Sequence, residues 1–160
     1  MKALVIYDSA FGNTEKVAQE LGKSLSTTGE VRVLRAIEAG PEDVNQIDLL
    51  VVGSPTQRFN ATPAVNEFLD RLQKDSLRGV KVAAFDTRFT EDEIAKTKVL
   101  SFFVNIFGYA AEPISNKLVK KGGELICPPE GFFVGGMEGP LLEGELERAS
   151  TWADEILRQV

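Results

Sequence analysis

The residues of this chain best suited to chemistry stand together at Ser9-Ala10-Phe11-Gly12-Asn13-Thr14. Two hydroxyls, an amide and a glycine fall where a short apolar run gives way to a helical pattern, so backbone N–H groups and the positive end of a helix converge there. A phosphate suits that arrangement without any Lys or Arg in the loop, the Ser9 and Thr14 hydroxyls completing its coordination. The competing reading is a structural turn in which Asn13 or Thr14 caps the helix. Two commoner phosphate loops are excluded, because GxxxxGK[ST] is absent and no GxGxxG follows the first apolar run. Two further polar segments, Ser54-Pro55-Thr56-Gln57-Arg58-Phe59-Asn60 and Asp86-Thr87-Arg88-Phe89, also follow apolar runs.

Other chemistries are removed by what the chain lacks. With no histidine and a single cysteine, Cys127, it can build neither a Ser-His-Asp nor a Cys-His site, a histidine-ligated metal or an intrachain disulfide. Carboxylate sites stay open, but redox chemistry would have to come from an organic cofactor. Cys127 lies between the apolar GELI and two prolines, which predicts a packing role. Eighteen Lys+Arg against 24 Asp+Glu give a net charge of −6, with no long basic block for a nucleic-acid backbone. The longest apolar stretch, VLSFFVNIF at Val99 to Phe107, is too short to cross a bilayer, and the amino terminus MKALVIYDS carries no signal-peptide pattern. These features predict a cytoplasmic protein without membrane insertion.

The elements that must position the three segments alternate along the chain. Ala3 to Tyr7 is a β-rich run without polar alternation, as expected of a strand covered on both faces. From Thr14, Val17, Ala18, Leu21 and Leu25 recur at helical spacing until Gly29. A second strand is expected at Val31 to Leu34, a short helix near Asp43 to Gln46 and a third strand at Ile47 to Val52. Thr62 and Pro63 then open a helix with Val65, Phe68, Leu69 and Leu72 on one face. A fourth strand is expected at Val80 to Phe85, with Asp86 to Phe89 as the loop at its end. VLSFFVNIF reads equally as a buried helix or a packed lid. Pro113 begins a helix closed by Gly122 and Gly123, a fifth strand is expected around Glu124 to Cys127, and Leu146, Ala149, Ala153, Ile156 and Leu157 stripe a last helix bordered by a packing Trp152. The link from Pro128 to Gly144 is expected to pack beside the sheet. Five strands alternating with helices predict an open parallel sheet with helices on both faces, which binds ligands at the carboxyl ends of its strands.

On these residues the chain resembles the flavodoxin family. The opening ALVIYDSAFGNTEKVA is similar to the family's phosphate-binding unit, with Ser9, Gly12, Asn13 and Thr14 in an S/T-x-x-G-N-T pattern. VVGSPTQRFNATPAVNEFLDRL resembles its second loop and following helix. AAFDTRF and FFVGGMEGPLLEGELERASTWADEI resemble a flavodoxin-like branch, so the similarity spans essentially the whole chain. It implies an α/β, flavodoxin-like, doubly wound five-stranded parallel sheet in a three-layer sandwich, as one domain over residues 1–160. It also implies noncovalent FMN and one-at-a-time electron transfer between redox protein partners, an electron carrier more than a self-contained oxidoreductase.

By the same resemblance Ser9, Ala10, Phe11, Gly12, Asn13 and Thr14 surround the phosphate. Ser54, Pro55, Thr56, Gln57, Arg58, Phe59 and Asn60 approach the flavin from the second loop, and Asp86, Thr87, Arg88 and Phe89 from the third. Asp86 either accepts from the ring N3–H or caps its own loop; Arg88 either stabilises a reduced anionic flavin or is solvated or salt-bridged. The family's usual Trp and Tyr on the ring are replaced by Gln57, Arg58, Phe59 and Phe89, of which Phe59 or Phe89 stacks or packs inward. The acidic surplus either steers a basic partner or is an ordinary surface. Two alternative functions stand beside the carrier: an NAD(P)H-dependent FMN or quinone reductase, and a flavodoxin-like binding or regulatory module with weakened or lost flavin binding.

Overall fold

The apolar run at the amino terminus becomes β1 (Lys2–Tyr7), five of whose six residues are buried, and it forms the middle of a parallel sheet. The computed structural model describes residues 1–57, 59–90 and 108–160; Arg58 and the stretch Val99 to Phe107 lie outside the described residues. After β1 come α1 (Asn13–Leu25), β2 (Glu30–Arg35), a 3-10 turn at Pro41–Val44, β3 (Leu49–Pro55), α2 (Pro63–Arg71) and β4 (Lys81–Phe89). The described chain continues with α3 (Ala111–Lys120), β5 (Glu124–Leu125), β6 (Glu130–Val134) and α4 (Glu145–Leu157).

The strands lie in the order β2-β1-β3-β4-β5, all parallel. Because β2 and β3 flank β1 on opposite sides, the connections part at the carboxyl ends of β1 and β3, leaving a crevice there. Strand alternation sorts the core into two layers. Leu4, Ile6, Leu50, Val52, Val82 and Ala84 pack with residues of α2 and α3, such as Phe68, Leu69, Ile114 and Leu118. Val5, Tyr7, Leu49, Val51, Ala83 and Phe85 pack with residues of α1 and α4, such as Val17, Leu21, Ala153 and Ile156. The result is the expected flavodoxin-like three-layer α/β sandwich.

Two expectations are corrected at the far edge. Asp86 to Phe89 are not a loop but the last four residues of β4. The link from Pro128 does not run beside the sheet: Glu130–Val134 enters it as β6, pairing Phe85 through Phe89 with Glu130 through Val134. The fifth strand position is thus occupied in two pieces. β5 pairs at Lys81 and Val82, β6 from Phe85 onward, and the chain between them bulges at residues 126–129, where Pro128 and Pro129 have no N–H for a ladder.

The second piece is held by side chains. Phe85, Phe132 and Trp152 meet edge to face with ring centroids 6.0–6.2 Å apart, giving Trp152 its packing role. Arg148 of α4 pairs with Glu130 and Glu145, donates to the Gly131 carbonyl and covers the Phe132 ring. Gly53 lets Phe85 lie across β3, since a Cβ at residue 53 would meet the ring at 2.0 Å.

Candidate functional site

A cavity of about 600 Å3 opens at the carboxyl ends of β1, β3, β4 and β6, where the crevice was expected. Its first wall is the loop between β1 and α1. Gly12 occupies the cap position of α1 at φ +90°, a conformation that strains any residue with a Cβ, and no side chain caps the helix. The reading of Asn13 or Thr14 as a helix cap therefore does not hold: both lie inside α1. The first bond along the helix runs from Lys16 N–H to Gly12 O, so the N–H groups of Asn13, Thr14 and Glu15 have no carbonyl within the helix.

The hydroxyls of the loop are partly committed. Ser9 Oγ accepts from Gly12 N–H at 3.0 Å and keeps its own hydrogen to donate. Thr14 Oγ1 and Thr87 Oγ1 are 2.9 Å apart across the interior, both residues nearly fully buried. Two hydroxyls sharing one hydrogen bond leave one O–H hydrogen for a ligand. Asn13 Nδ2 donates to the Glu138 carbonyl at 3.1 Å, tying this loop to the turn after β6. Ser9, Ala10, Phe11, Asn13 and Thr14 line the cavity, and Gly12 shapes the loop without lining it.

In the second segment Gln57 and Asn60 exchange both backbone hydrogen bonds, at 2.8 and 2.9 Å. Phe59 within it sits at φ +67°, a strained conformation for a bulky side chain. Pro55, Thr56, Gln57 and Phe59 line the cavity. Ser54 and Asn60 do not: Ser54 is fully buried, donating to the Pro55 carbonyl and accepting from Thr62 N–H, and Asn60 Oδ1 accepts from Ala61 N–H.

The third segment divides by strand face. Thr87 and Phe89 reach the cavity with part of Arg88. Asp86, fully buried, points to the α3 side, where Arg88 grips it at 2.6 and 2.8 Å and Ala111 N–H donates at 2.9 Å. Burial pushes the Asp86 carboxyl above its ordinary range, and the guanidinium and the N–H hold its ionised form against that push. The Arg88 charge is spent on Asp86, and its Cζ lies 3.8 Å from the centroid of the Tyr109 ring.

Three residues in the wall escaped the sequence reading: Tyr109, Val134 and Met137. Tyr109 is placed by Arg88 and by the neighbouring Ala110 N–H, which donates to Thr56 Oγ1 at 3.1 Å. Val134 ends β6, and Met137 rides the turn that follows it, 78% exposed. The apolar patch Phe132-Phe133-Val134 was the one local signal near the last two; nothing near Tyr109 in sequence links it to β4. Among the described residues no group of three His, Cys, Asp or Glu side chains could hold a metal, and no helix is long and apolar enough to cross a membrane.

A family model described as a flavodoxin domain matches residues 4–125, which takes in the first loop, the second loop and β4. The chain belongs to the flavodoxin family. It is 34% identical to a flavodoxin of Aquifex aeolicus over 129 residues, covering 75% of this chain and 69% of that one. The crystal structure of oxidised Flavodoxin 1 from Bacillus cereus superposes with a TM-score of 0.79 at 18% identity, covering 100% of this chain and 99% of the other. An uncharacterized protein of Methanocaldococcus jannaschii is 26% identical over 63% of this chain, which spans only 27% of that protein's length. Flavodoxins bind FMN and, in general, carry electrons between redox partners. The residues of this site fit such a group: an uncapped helix N-terminus and surplus hydroxyl hydrogens at one end, and Phe59, Phe89 and Tyr109 around the rest.

Proposed function

We propose that this flavodoxin binds FMN noncovalently in the cavity and passes electrons one at a time between protein partners. The observation that carries the reading is the start of α1: a glycine cap, no capping side chain, and N–H groups without a carbonyl in the helix at residues that line a cavity with aromatic walls. FMN, when bound, supplies the redox chemistry; the chain supplies its position. The loop from Ser9 to Thr14 would hold the phosphate through N–H groups and the Ser9 and Thr14/Thr87 hydroxyls. Thr56 and Gln57 would meet the polar chain of the cofactor, and Phe59, Phe89 and Tyr109 would wall the ring and exclude water from its faces. Ser54 and Asp86, turned away from the cavity, act as supports that fix the second segment and the start of α3. With Arg88 neutralised by Asp86, no described cation of the third segment remains to favour a reduced anionic ring. Phe11, 54% exposed, and Met137 leave an apolar rim at the mouth through which a partner protein can approach.

Titration of the flavin-free chain with FMN, followed by quenching of flavin fluorescence and by the absorption spectrum, tests the proposal. One FMN per chain is expected, with an altered absorption band and no steady consumption of NAD(P)H when the loaded protein stands alone. A chain that leaves FMN fluorescence unchanged refutes flavin binding, and NAD(P)H turnover by the loaded chain refutes the carrier role.

A further inference from the structure

Two carboxylates, Asp8 and Glu15, flank the loop proposed to hold a phosphate. Asp8 Oδ1 accepts from Ser9 N–H at 2.9 Å, so one carboxylate is bonded to the loop itself. Glu15, in the first turn of α1, stands beside the N–H groups that the helix offers, and its Oε1 accepts from the Tyr7 hydroxyl at 2.9 Å. Both carboxylates oppose an incoming anion. Arg35 answers them. It ends β2, directly across from Tyr7 in the β1–β2 register, and its Nη2 donates to the Ser9 carbonyl at 2.9 Å. Its Cζ lies 5.8 Å from the centroid of the Tyr7 ring, so the cation and Glu15 share Tyr7 as a neighbour. The Tyr7 phenol feels both fields: burial and Glu15 push its pKa up while Arg35 pulls it down. Lys16, the next basic residue along α1, is exposed.

We infer that Arg35 is a specificity-determining residue, a positioning cation acting through Ser9, that offsets Asp8 and Glu15 and makes the site select a flavin bearing a phosphomonoester over the same flavin without one. The inference rests on the FMN reading above and deepens it. A guanidinium stays charged at every accessible pH, and its planar fork can hold the Ser9 carbonyl while projecting its field into the loop. The loop's neutral donors supply geometry, and Arg35 supplies the sign of the field. The signal in the sequence was a cation at the end of the strand beside β1, which only the sheet order makes a neighbour of the loop.

FMN and riboflavin titrated in parallel into the flavin-free wild type, R35Q, R35K and E15Q at low salt separate this role from a merely structural one. R35Q is expected to reduce the preference for FMN over riboflavin on the order of tenfold, by weakening FMN and leaving riboflavin within about twofold. R35K should restore most of the preference, and E15Q, which removes an opposing charge, should raise it. Circular dichroism checks that each variant is folded, and E15Q carries the test if R35Q is not. Equal loss of both flavins in R35Q, an unchanged preference, an R35K as impaired as R35Q, or an E15Q with no gain each overturns the inference while leaving FMN binding intact. A wild type that binds neither flavin overturns the proposed function and this inference with it.

Discussion

The buried contact between Thr14 and Thr87 makes a prediction in which stability and ligand affinity move in opposite orders. The two hydroxyls are 2.9 Å apart, with Thr14 1% and Thr87 5% exposed, so a hydroxyl that loses its partner can reach water only through the cavity that both residues line. Replacing Thr14 by Val keeps the branched shape, removes one oxygen and strands the Thr87 hydroxyl. The cost is the net worth of the hydrogen bond plus desolvation of the orphaned group, about 1–3 kcal/mol. Thr87→Val strands Thr14 at a similar cost. The double variant leaves an apolar contact of the same shape with no orphan, so it should lose less than either single change. The resulting coupling energy exceeds the cost of either single change, about 1–3 kcal/mol, well beyond the additivity expected of independent sites.

Ligand affinity runs the other way. In the wild type the pair keeps one hydroxyl hydrogen for the phosphate; either single variant still has one, and the double variant has none. A hydrogen bond to a charged group contributes about 1.5–3 kcal/mol, so the double variant should bind FMN at least about tenfold more weakly than either single one. Urea denaturation of the flavin-free proteins reads the first order, because bound ligand would add its own stabilisation. Fluorescence titration reads the second. The single variants should melt about 2–12 °C below wild type, at roughly 2–4 °C per kcal/mol for a chain of this length. Additive stability losses, or a double variant that binds FMN as well as the single ones, would refute the shared hydrogen.

Two other sites give sharp tests. Burial pushes the Cys127 thiol up to about 11, so the folded state favours its protonated form; that contribution is whole below the unfolded thiol's pKa and is lost as pH rises through about 11. Iodoacetamide should therefore alkylate the native chain at pH 8 at least about a hundredfold more slowly than the urea-unfolded chain, and equal rates would make Cys127 an accessible, reactive thiol. Asp86→Ala leaves Arg88 without its carboxylate and Ala111 N–H without its acceptor, which should cost about 3–5 kcal/mol in urea denaturation. Adding Arg88→Met should recover much of that loss, and a double variant no more stable than Asp86→Ala would show that the pair is not the unit that matters.

Where the sequence was easy to read, local forces decide the structure. The runs Ala3 to Tyr7 and Leu49 to Val52 are apolar on both faces and have no choice but the middle of a sheet. The stripe Val17, Ala18, Leu21 and Leu25 fits only one helical face, and Gly12 marks where that helix must begin. The start of α1 was legible because the loop from Ser9 to Thr14 lies within six residues, whereas Thr87, which shares the phosphate end with it, comes from β4. The far edge was not. Glu130–Val134 begins after two prolines and includes Gly131, so its own composition argues against a strand; it becomes one because Phe132 fits between Phe85 and Trp152 and Arg148 holds its backbone. Gly131 leaves room for the Arg88 guanidinium on Asp86, since a Cβ would meet Arg88 Nε at 2.2 Å and push it aside. None of those partners is near it in sequence.

The third segment shows why a motif can name the right residues and still leave their work open. Asp86, Thr87, Arg88 and Phe89 were read as a loop, in which any side chain can turn toward a ligand. As the end of a strand they have no such freedom, because successive side chains must point to opposite faces. Thr87 continues the row of Phe85 and meets Thr14 from α1; Asp86 continues the row of Val82 and Ala84 and meets the start of α3. Extending β4 by four residues thus divides the motif into one set that can touch a ligand and another that holds the walls. Pairing with β3 carries β4 through Thr87, and pairing with β6, more than forty residues downstream, carries it on to Phe89. A substitution that dislodged Phe132 from Phe85 and Trp152 should therefore release Arg88 and Phe89, which only β6 pairs, while β3 keeps Asp86 and Thr87 in place, and so weaken the site from behind through a residue that does not line it.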